Sequence, residues 1–162
     1  MTETLLQADQ VAKYFPVTEG VIFTHVKGWV KAVDGVSFSL GQRETFGVVG
    51  ESGCGKTTLA KLFLRIESPN SGRILFWDRD INQLGSDDLA EYRRAVQVVF
   101  LDPFSSLNPR MQVAGIIGEP LTIHQRLSSN QLKARLSELL DLVGLPQSSG
   151  YLYPHQFSGG QR

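Results

Sequence analysis

Apolar and polar positions along this chain follow three rhythms. Two short runs are apolar at nearly every position: Thr45-Phe46-Gly47-Val48-Val49, and Val96-Gln97-Val98-Val99-Phe100-Leu101. Continuous apolar runs of this length predict buried strands. Residues 29–33 and 36–40 alternate instead, as strands with one wet face do, and Asp34-Gly35 between them suits a tight turn or a bulge. Residues 5–15 mix both kinds and predict a first, partly exposed strand. Residues 16–28, rich in turn formers, predict a loop. Residues 73–77 predict a strand with Asp78 at its turn, after a plain loop over 68–72.

Helical spacing follows the glycine-rich stretch, over residues 58–66. It recurs after Ser86, a candidate cap with Asp87 and Asp88 in the first turn and Leu89, Tyr92 and Val96 on the apolar side. Residues 111–118 predict a short helix stopped before Pro120. Ser128 and Gln131 fit a capping box that opens a helix to about Val143, with Leu132, Leu136, Leu139, Leu140 and Val143 on one face and Gly144 at its end. The pattern therefore predicts an α/β portion over residues 1–101 and a helical portion over residues 102–162.

Between the first apolar run and the first helix stands Gly50-Glu51-Ser52-Gly53-Cys54-Gly55-Lys56-Thr57-Thr58, which fits the phosphate-binding loop G-x-x-x-x-G-K-[ST]. Glycines let backbone N–H groups converge on phosphate oxygens, and the helix start adds its positive dipole end. Lys56 is placed to reach the β- and γ-phosphates, and the Thr57 hydroxyl to hold Mg²⁺. A glycine-rich turn that binds nothing is the competing reading, and the strand before and helix after count against it.

Composition narrows the class. With 162 residues, 41% of them hydrophobic and 20% charged, the chain has the makeup of one ordinary globular domain. Lys+Arg and Asp+Glu both number 16, which gives no electrostatic case for nucleic acid as a partner. The single cysteine, Cys54, cannot form an internal disulfide and suits a reducing cytosol. No apolar run approaches membrane-spanning length, so membrane association would go through a partner.

The last informative stretch is Phe157-Ser158-Gly159-Gly160-Gln161-Arg162. Alone, a terminal Ser-Gly-Gly says little. With a phosphate-binding loop upstream, it resembles the signature motif of the ABC transporter nucleotide-binding subunits. Three further stretches resemble the ATP-binding subunits of oligopeptide, dipeptide and nickel importers: Lys31-Ala32-Val33-Asp34-Gly35-Val36-Ser37, Asp102-Pro103-Phe104-Ser105-Ser106-Leu107-Asn108-Pro109-Arg110, and Tyr153-Pro154-His155-Gln156 leading into the signature. The resemblance covers nearly the whole chain.

What it implies is specific. The fold would be an α/β P-loop NTPase of the ABC type: a β-rich subdomain, P-loop core strands and a helical subdomain. The activity would be ATP hydrolysis, with ATP and Mg²⁺, energising import of peptides or nickel. Gly50 to Thr58 would be the ATP site, with Thr57 on Mg²⁺. Tyr14 or Phe15, with Phe15 favoured, would stack on adenine, although either ring also suits a place in the core. Ser158, Gly159, Gly160 and Gln161 would touch ATP held by a second ATPase subunit, in a head-to-tail dimer. Partners would be that subunit, transmembrane permease subunits and, indirectly, a substrate-binding protein outside the membrane; the location would be the cytoplasmic face of the cell membrane.

Two departures stand out. At the Q-loop position, where the family carries glutamine, this chain has Leu101, which can neither ligate Mg²⁺ nor orient water. The family's Walker B aspartate, catalytic glutamate and switch histidine would lie beyond Arg162, so no catalytic residue is assigned within the chain, which by itself would be inactive. Residues 98–102 imitate a Walker B strand, with Asp102 as a possible Mg²⁺ ligand in an unrelated P-loop fold, but the sequence after Asp102 fits the Q-loop better. A hydrolysis-incompetent nucleotide-binding remnant and a soluble ABC ATPase outside transport are the alternatives.

Overall fold

The computed structural model describes residues 3–19, 25–102, 106–125 and 127–160. The chain forms two compact units, Met1–Gln97 and Val98–Arg162.

The first unit is built on a long hairpin. β1 (Thr4–Glu19) pairs antiparallel with β2 (His25–Gly41), and on its other side with β3 (Ser71–Phe76), which pairs in turn with β4 (Arg79–Asp80), giving the order β2-β1-β3-β4. The loop expected over residues 16–28 is therefore largely strand: Pro16 faces Trp29, Val17 faces Gly28, and Glu19 faces His25. Pairing of β1 with β3 ends at Ala12, so Pro16 lies where one edge of β1 is open, a setting in which strand prolines are tolerated. The two alternating runs are one strand, and Asp34-Gly35 is the bulge between them. The register steps from Val11 opposite Val36 to Lys13 opposite Val33, and Gly35 takes φ 65°, a value that favours glycine.

One sheet face carries the core. Ala8, Val11, Val33 and Ile74 from the strands meet Leu59 and Leu62 of α1 (Lys56–Phe63), with Ile81 and Tyr92 closing it. Each valine, leucine and isoleucine of this set contributes about 1.5–3 kcal/mol by leaving water. α1 starts and stops earlier than its spacing suggests. It ends where Arg65 turns to φ 51° and the Ile66 and Glu67 N–H groups both donate to the Lys61 carbonyl, at 3.0 and 3.2 Å. In α2 (Ser86–Ala95) the cap is Gly85, not Ser86: Gly85 is the extended residue whose carbonyl accepts from Leu89 N–H at 2.9 Å, and Ser86 is already inside the helix. Leu89 and Val96 pack against the core as their spacing implies, and Tyr92 is buried in it.

Neither apolar run forms a strand. Residues 45–49 and 96–101 carry no ladder among the described residues. Val49 and Val99 are each 91% exposed, and Leu101 is fully exposed. Only Phe46 is engaged by its ring, stacked on Phe38 at 4.6 Å. Apolarity selects a residue for burial, but a strand exists only where a neighbour supplies hydrogen-bond partners, and neither segment has a ladder partner among the described residues.

The second unit is helical. α3 (Val113–His124) runs through Pro120, against the expectation that it stops before the proline. Proline removes one intrahelical bond and crowds the preceding turn, but packing carries the helix on: a Cβ at Gly118 would sit 3.9 Å from both Leu132 and Leu136 of α4 (Ser129–Leu142). The capping box is present, with Gln131 N–H donating to Ser128 Oγ at 3.4 Å and Ser128 N–H to Gln131 Oε1 at 2.9 Å. Leu140 is the buried member of the apolar face, whereas Val143, at the cap, is 65% exposed. Two 3-10 turns, Gln147–Tyr151 and Pro154–Gln156, complete the unit. No helix of the described residues is long and apolar enough to cross a membrane.

Tyr92 gives a direct check on the first core. Its hydroxyl donates to the Phe63 carbonyl and its ring stands edge-on to Phe76 at 5.2 Å. Burial pushes its pKa from 10.0 up to about 12. Because the folded pKa is raised, this contribution is complete below pH about 10 and is lost as pH rises toward 12. Urea unfolding of the wild type should therefore show stability falling across that window, and Tyr92→Phe should flatten the fall while costing about 1 kcal/mol at neutral pH. An identical alkaline fall in the variant would show that Tyr92 is not the group responsible.

Candidate functional site

The glycine-rich loop sits against the free edge of β2. Gly55 is the cap of α1 at φ 99°, and a Cβ placed there would lie 2.0 Å from the Ala32 carbonyl oxygen. No side chain fits that approach, so glycine is required twice over, by conformation and by space. Lys56 then enters the helix and turns back over the loop. Its ammonium donates to the carbonyls of Gly50 at 2.7 Å and Glu51 at 2.6 Å, and lies 3.6 Å from Cys54 Sγ. The loop closes on itself where Cys54 N–H donates to the Glu51 carbonyl at 3.3 Å.

Together the loop and strand edge line an open cavity of about 390 Å³, formed by residues 30–32 and 52–58. The first-turn amides of α1 have no acceptor within the helix, and two cations, Lys31 and Lys56, line the same cavity with Thr57 and Thr58. Such a wall can hold a polyanion: amide donors, a helix N-terminus and an ammonium all favour negative charge. The cavity brings together Ser52 through Thr58 of the sequence-derived set; Gly50 and Glu51 join through the Lys56 bonds.

The two candidate aromatics sit on adjacent rungs of the hairpin. Tyr14 is opposite Lys31 and Phe15 opposite Val30, and both of those partners line the cavity. Their surroundings differ. The Tyr14 hydroxyl donates to Asp34, while the Lys31 ammonium reaches the same carboxylate at 3.2 Å and lies over the Tyr14 ring at 5.3 Å. The Tyr14 hydroxyl, then Lys31, hold the Asp34 carboxyl below its ordinary range, and that carboxylate raises the pKa of both partners. Phe15 has no polar atom to engage and lies instead beneath the Lys13 ammonium at 5.1 Å. Lys13, Lys31 and Asp34 carry no motif signal for this site. Lys31 is found by its register opposite Tyr14, whereas Asp34 and Lys13 are found only by their contacts with Tyr14, Lys31 and Phe15.

In the second unit, Ser158, Gly159 and Gly160 form an exposed turn anchored by the buried Pro154 and Phe157. Gln161, at the end of the signature-like stretch, lies outside the described residues, as does Pro103 next to the Q-loop-like position. Leu101 projects fully into solvent.

Residues 33–162 match the sequence pattern of the ABC transporter family, and the chain belongs to that family. It is 48% identical over 161 residues to the oligopeptide transport ATP-binding protein AppF of Bacillus subtilis (strain 168), covering 99% of this chain and 49% of that protein. It is 41% identical over 158 residues to the dipeptide transport ATP-binding protein DppF of Haemophilus influenzae (strain ATCC 51907 / DSM 11121 / KW20 / Rd), covering 98% of this chain and 48% of that protein. The chain thus spans about half the length of the relatives it matches. Among solved structures it resembles the ATP-binding cassette MJ0796 in a dimeric post-hydrolysis state bound to ADP and Pi, with a TM-score of 0.72 at 23% identity, over 97% of this chain and 65% of that one. That likeness assigns the fold, an α/β P-loop nucleotide-binding domain, and at this identity it carries nothing further.

The seat of the loop on β2 is open to a single-residue test. Gly55→Ala forces a side chain into the Ala32 carbonyl and into a left-handed conformation, which should destabilise the loop by more than about 1 kcal/mol. ATP binding, followed by fluorescence of a labelled analogue, should be lost while circular dichroism of the sheet is retained. Wild-type binding in the variant would mean that the loop does not need this contact.

Proposed function

We propose that this chain is the nucleotide-binding part of an ATPase subunit that powers peptide import, with residues 1–101 as the ATP-binding portion and 102–162 as the helical subdomain. The observation that carries this reading is the convergence of Lys56, Thr57 and the first amides of α1 on one cavity at the edge of β2. The names of the relatives favour peptides over nickel as cargo.

In this reading the residues 50–58 hold the triphosphate of ATP, and Lys56 exchanges its bonds to the Gly50 and Glu51 carbonyls for phosphate oxygens. The residues present fit Mg²⁺: Thr57 offers a hydroxyl on the cavity wall beside the phosphate donors, and the remaining ligands would come from the triphosphate and water. Mg²⁺ supplies neutralisation of charge developing on the β- and γ-phosphates. Phe15, with Tyr14 as its neighbour, offers the stacking face for adenine. Ser158, Gly159, Gly160 and Gln161 serve the ATP of a second subunit in a head-to-tail dimer. The assembly works at the cytoplasmic face of the membrane, through permease subunits and a substrate-binding protein beyond them. Leu101 favours a second, weaker reading. A fully exposed leucine in place of a glutamine would leave hydrolysis poorly coupled to the permease.

Two substitutions in the full-length protein separate these readings. Lys56→Ala removes the one cation on the loop, so ATP turnover should fall by at least about a hundredfold; unchanged turnover would refute the assignment. Leu101→Gln should raise permease-dependent ATPase activity in reconstituted vesicles. Full coupling already present with leucine would show that the polar side chain is dispensable here.

A further inference from the structure

Lys13 belongs to none of the motifs above, yet it is one of the most constrained cations in the first unit. Its side chain is only 14% exposed. The ammonium pairs with the Glu67 carboxylate at 2.9 Å and donates to the Ser68 carbonyl at 2.9 Å, and it lies over the Phe15 ring at 5.1 Å. A lysine side chain loses substantial rotamer freedom when held this way, and an exposed ion pair alone contributes little. Three convergent contacts on one ammonium therefore call for a role.

The partners supply one. Glu67 and Ser68 follow the end of α1, the same helix whose first residues, Lys56 and Thr57, form the wall of the P-loop cavity. Phe15 lies on the hairpin, opposite the cavity-lining Val30. Lys13 thus ties an aromatic ring on one element to the far end of the element that presents the phosphate donors. The link is reinforced at the next residue, where Tyr14 N–H donates to Asn70 Oδ1 at 2.7 Å. A flat ring has two faces, and the cation occupies one of them, which leaves the other for a planar ligand.

We propose that Lys13 is a positioning residue for the nucleotide base: it fixes the orientation of the Phe15 ring and its spacing from the P-loop, so that the site discriminates a complete nucleotide from a bare polyphosphate. This rests on the reading of Phe15 as the base-stacking residue. Lys13 touches neither phosphate nor base; it acts through Phe15, and its effect should appear only when a base is present.

The test compares two probes on the full-length protein, Mg-ATP and inorganic tripolyphosphate with Mg²⁺, by isothermal titration calorimetry. Phe15→Ala should weaken ATP at least about fivefold through loss of stacking and leave tripolyphosphate unchanged. Lys13→Met, which keeps the stem and removes the charge, should weaken ATP about two- to fivefold, raise KM for ATP with little change in kcat, and also leave tripolyphosphate unchanged. Lys13→Arg, which retains a cation over the ring, should restore ATP binding. If Lys13→Met does not fold, Glu67→Gln, which loosens the ammonium without deleting it, should give the same contrast at smaller size. Equal loss of both probes in a folded Lys13 variant would reduce Lys13 to a general structural role and overturn the proposal. So would a Phe15→Ala loss that no Lys13 or Glu67 variant shares. If Phe15→Ala itself leaves ATP binding intact, the base-stacking reading fails first, and the proposal with it.

Discussion

The approach of Gly55 to the Ala32 carbonyl is the constraint on which the site depends. A strand edge ordinarily offers its carbonyls to another strand. Here the glycine-rich loop occupies that edge of β2, close enough to exclude any side chain at position 55. This seat fixes where α1 begins, which amides face the cavity and how Lys56 folds back. The bulge at Gly35 bends β2 just beyond the contact, and the Tyr14, Lys31 and Asp34 cluster braces the hairpin beside it. Moving the loop by the width of one methyl group would displace each of these donors together.

The sheet that carries this seat is antiparallel and ends at β2, whereas the P-loop fold places its apolar strands in a buried layer. The two runs that should form such strands, residues 45–49 and 96–101, are largely exposed, with Val49 and Val99 each 91% exposed. They keep the composition of a parallel-sheet interior without its ladder. Each backbone group in a buried strand needs a partner, at about 1–3 kcal/mol for one left unmatched, so these segments stay in contact with water unless other strands flank them. Val48 and Val49 accordingly line a second cavity of about 360 Å³ beneath the loop, beside Leu59 and Lys56.

What could be read from the sequence was whatever is encoded within a few residues. The loop from Gly50 to Thr58, the capping box at Ser128 and Gln131, the apolar side of α2 and the αL residue Gly144 all depend on near neighbours. Misreadings came where distant contacts decide. Residues 16–19 and 25–28 have loop composition but pair because β1 and β2 continue past β3. Pro120 stays inside α3 because Leu132 and Leu136 pack over Gly118. The two apolar runs have strand composition but no neighbour. In the first unit the glycine-rich loop was legible as a motif, whereas Lys13 and Glu67, separated by more than fifty positions, leave no local trace.

Hydrogen–deuterium exchange of the backbone amides, with and without Mg-ATP, tests the central claim most directly. If the loop seated on β2 is the triphosphate site, Mg-ATP should slow exchange at residues 52–58 and at 30–32 together, because the same cavity wall carries both. Protection confined to another part of the chain, or exchange at these residues that does not respond to Mg-ATP, would contradict it.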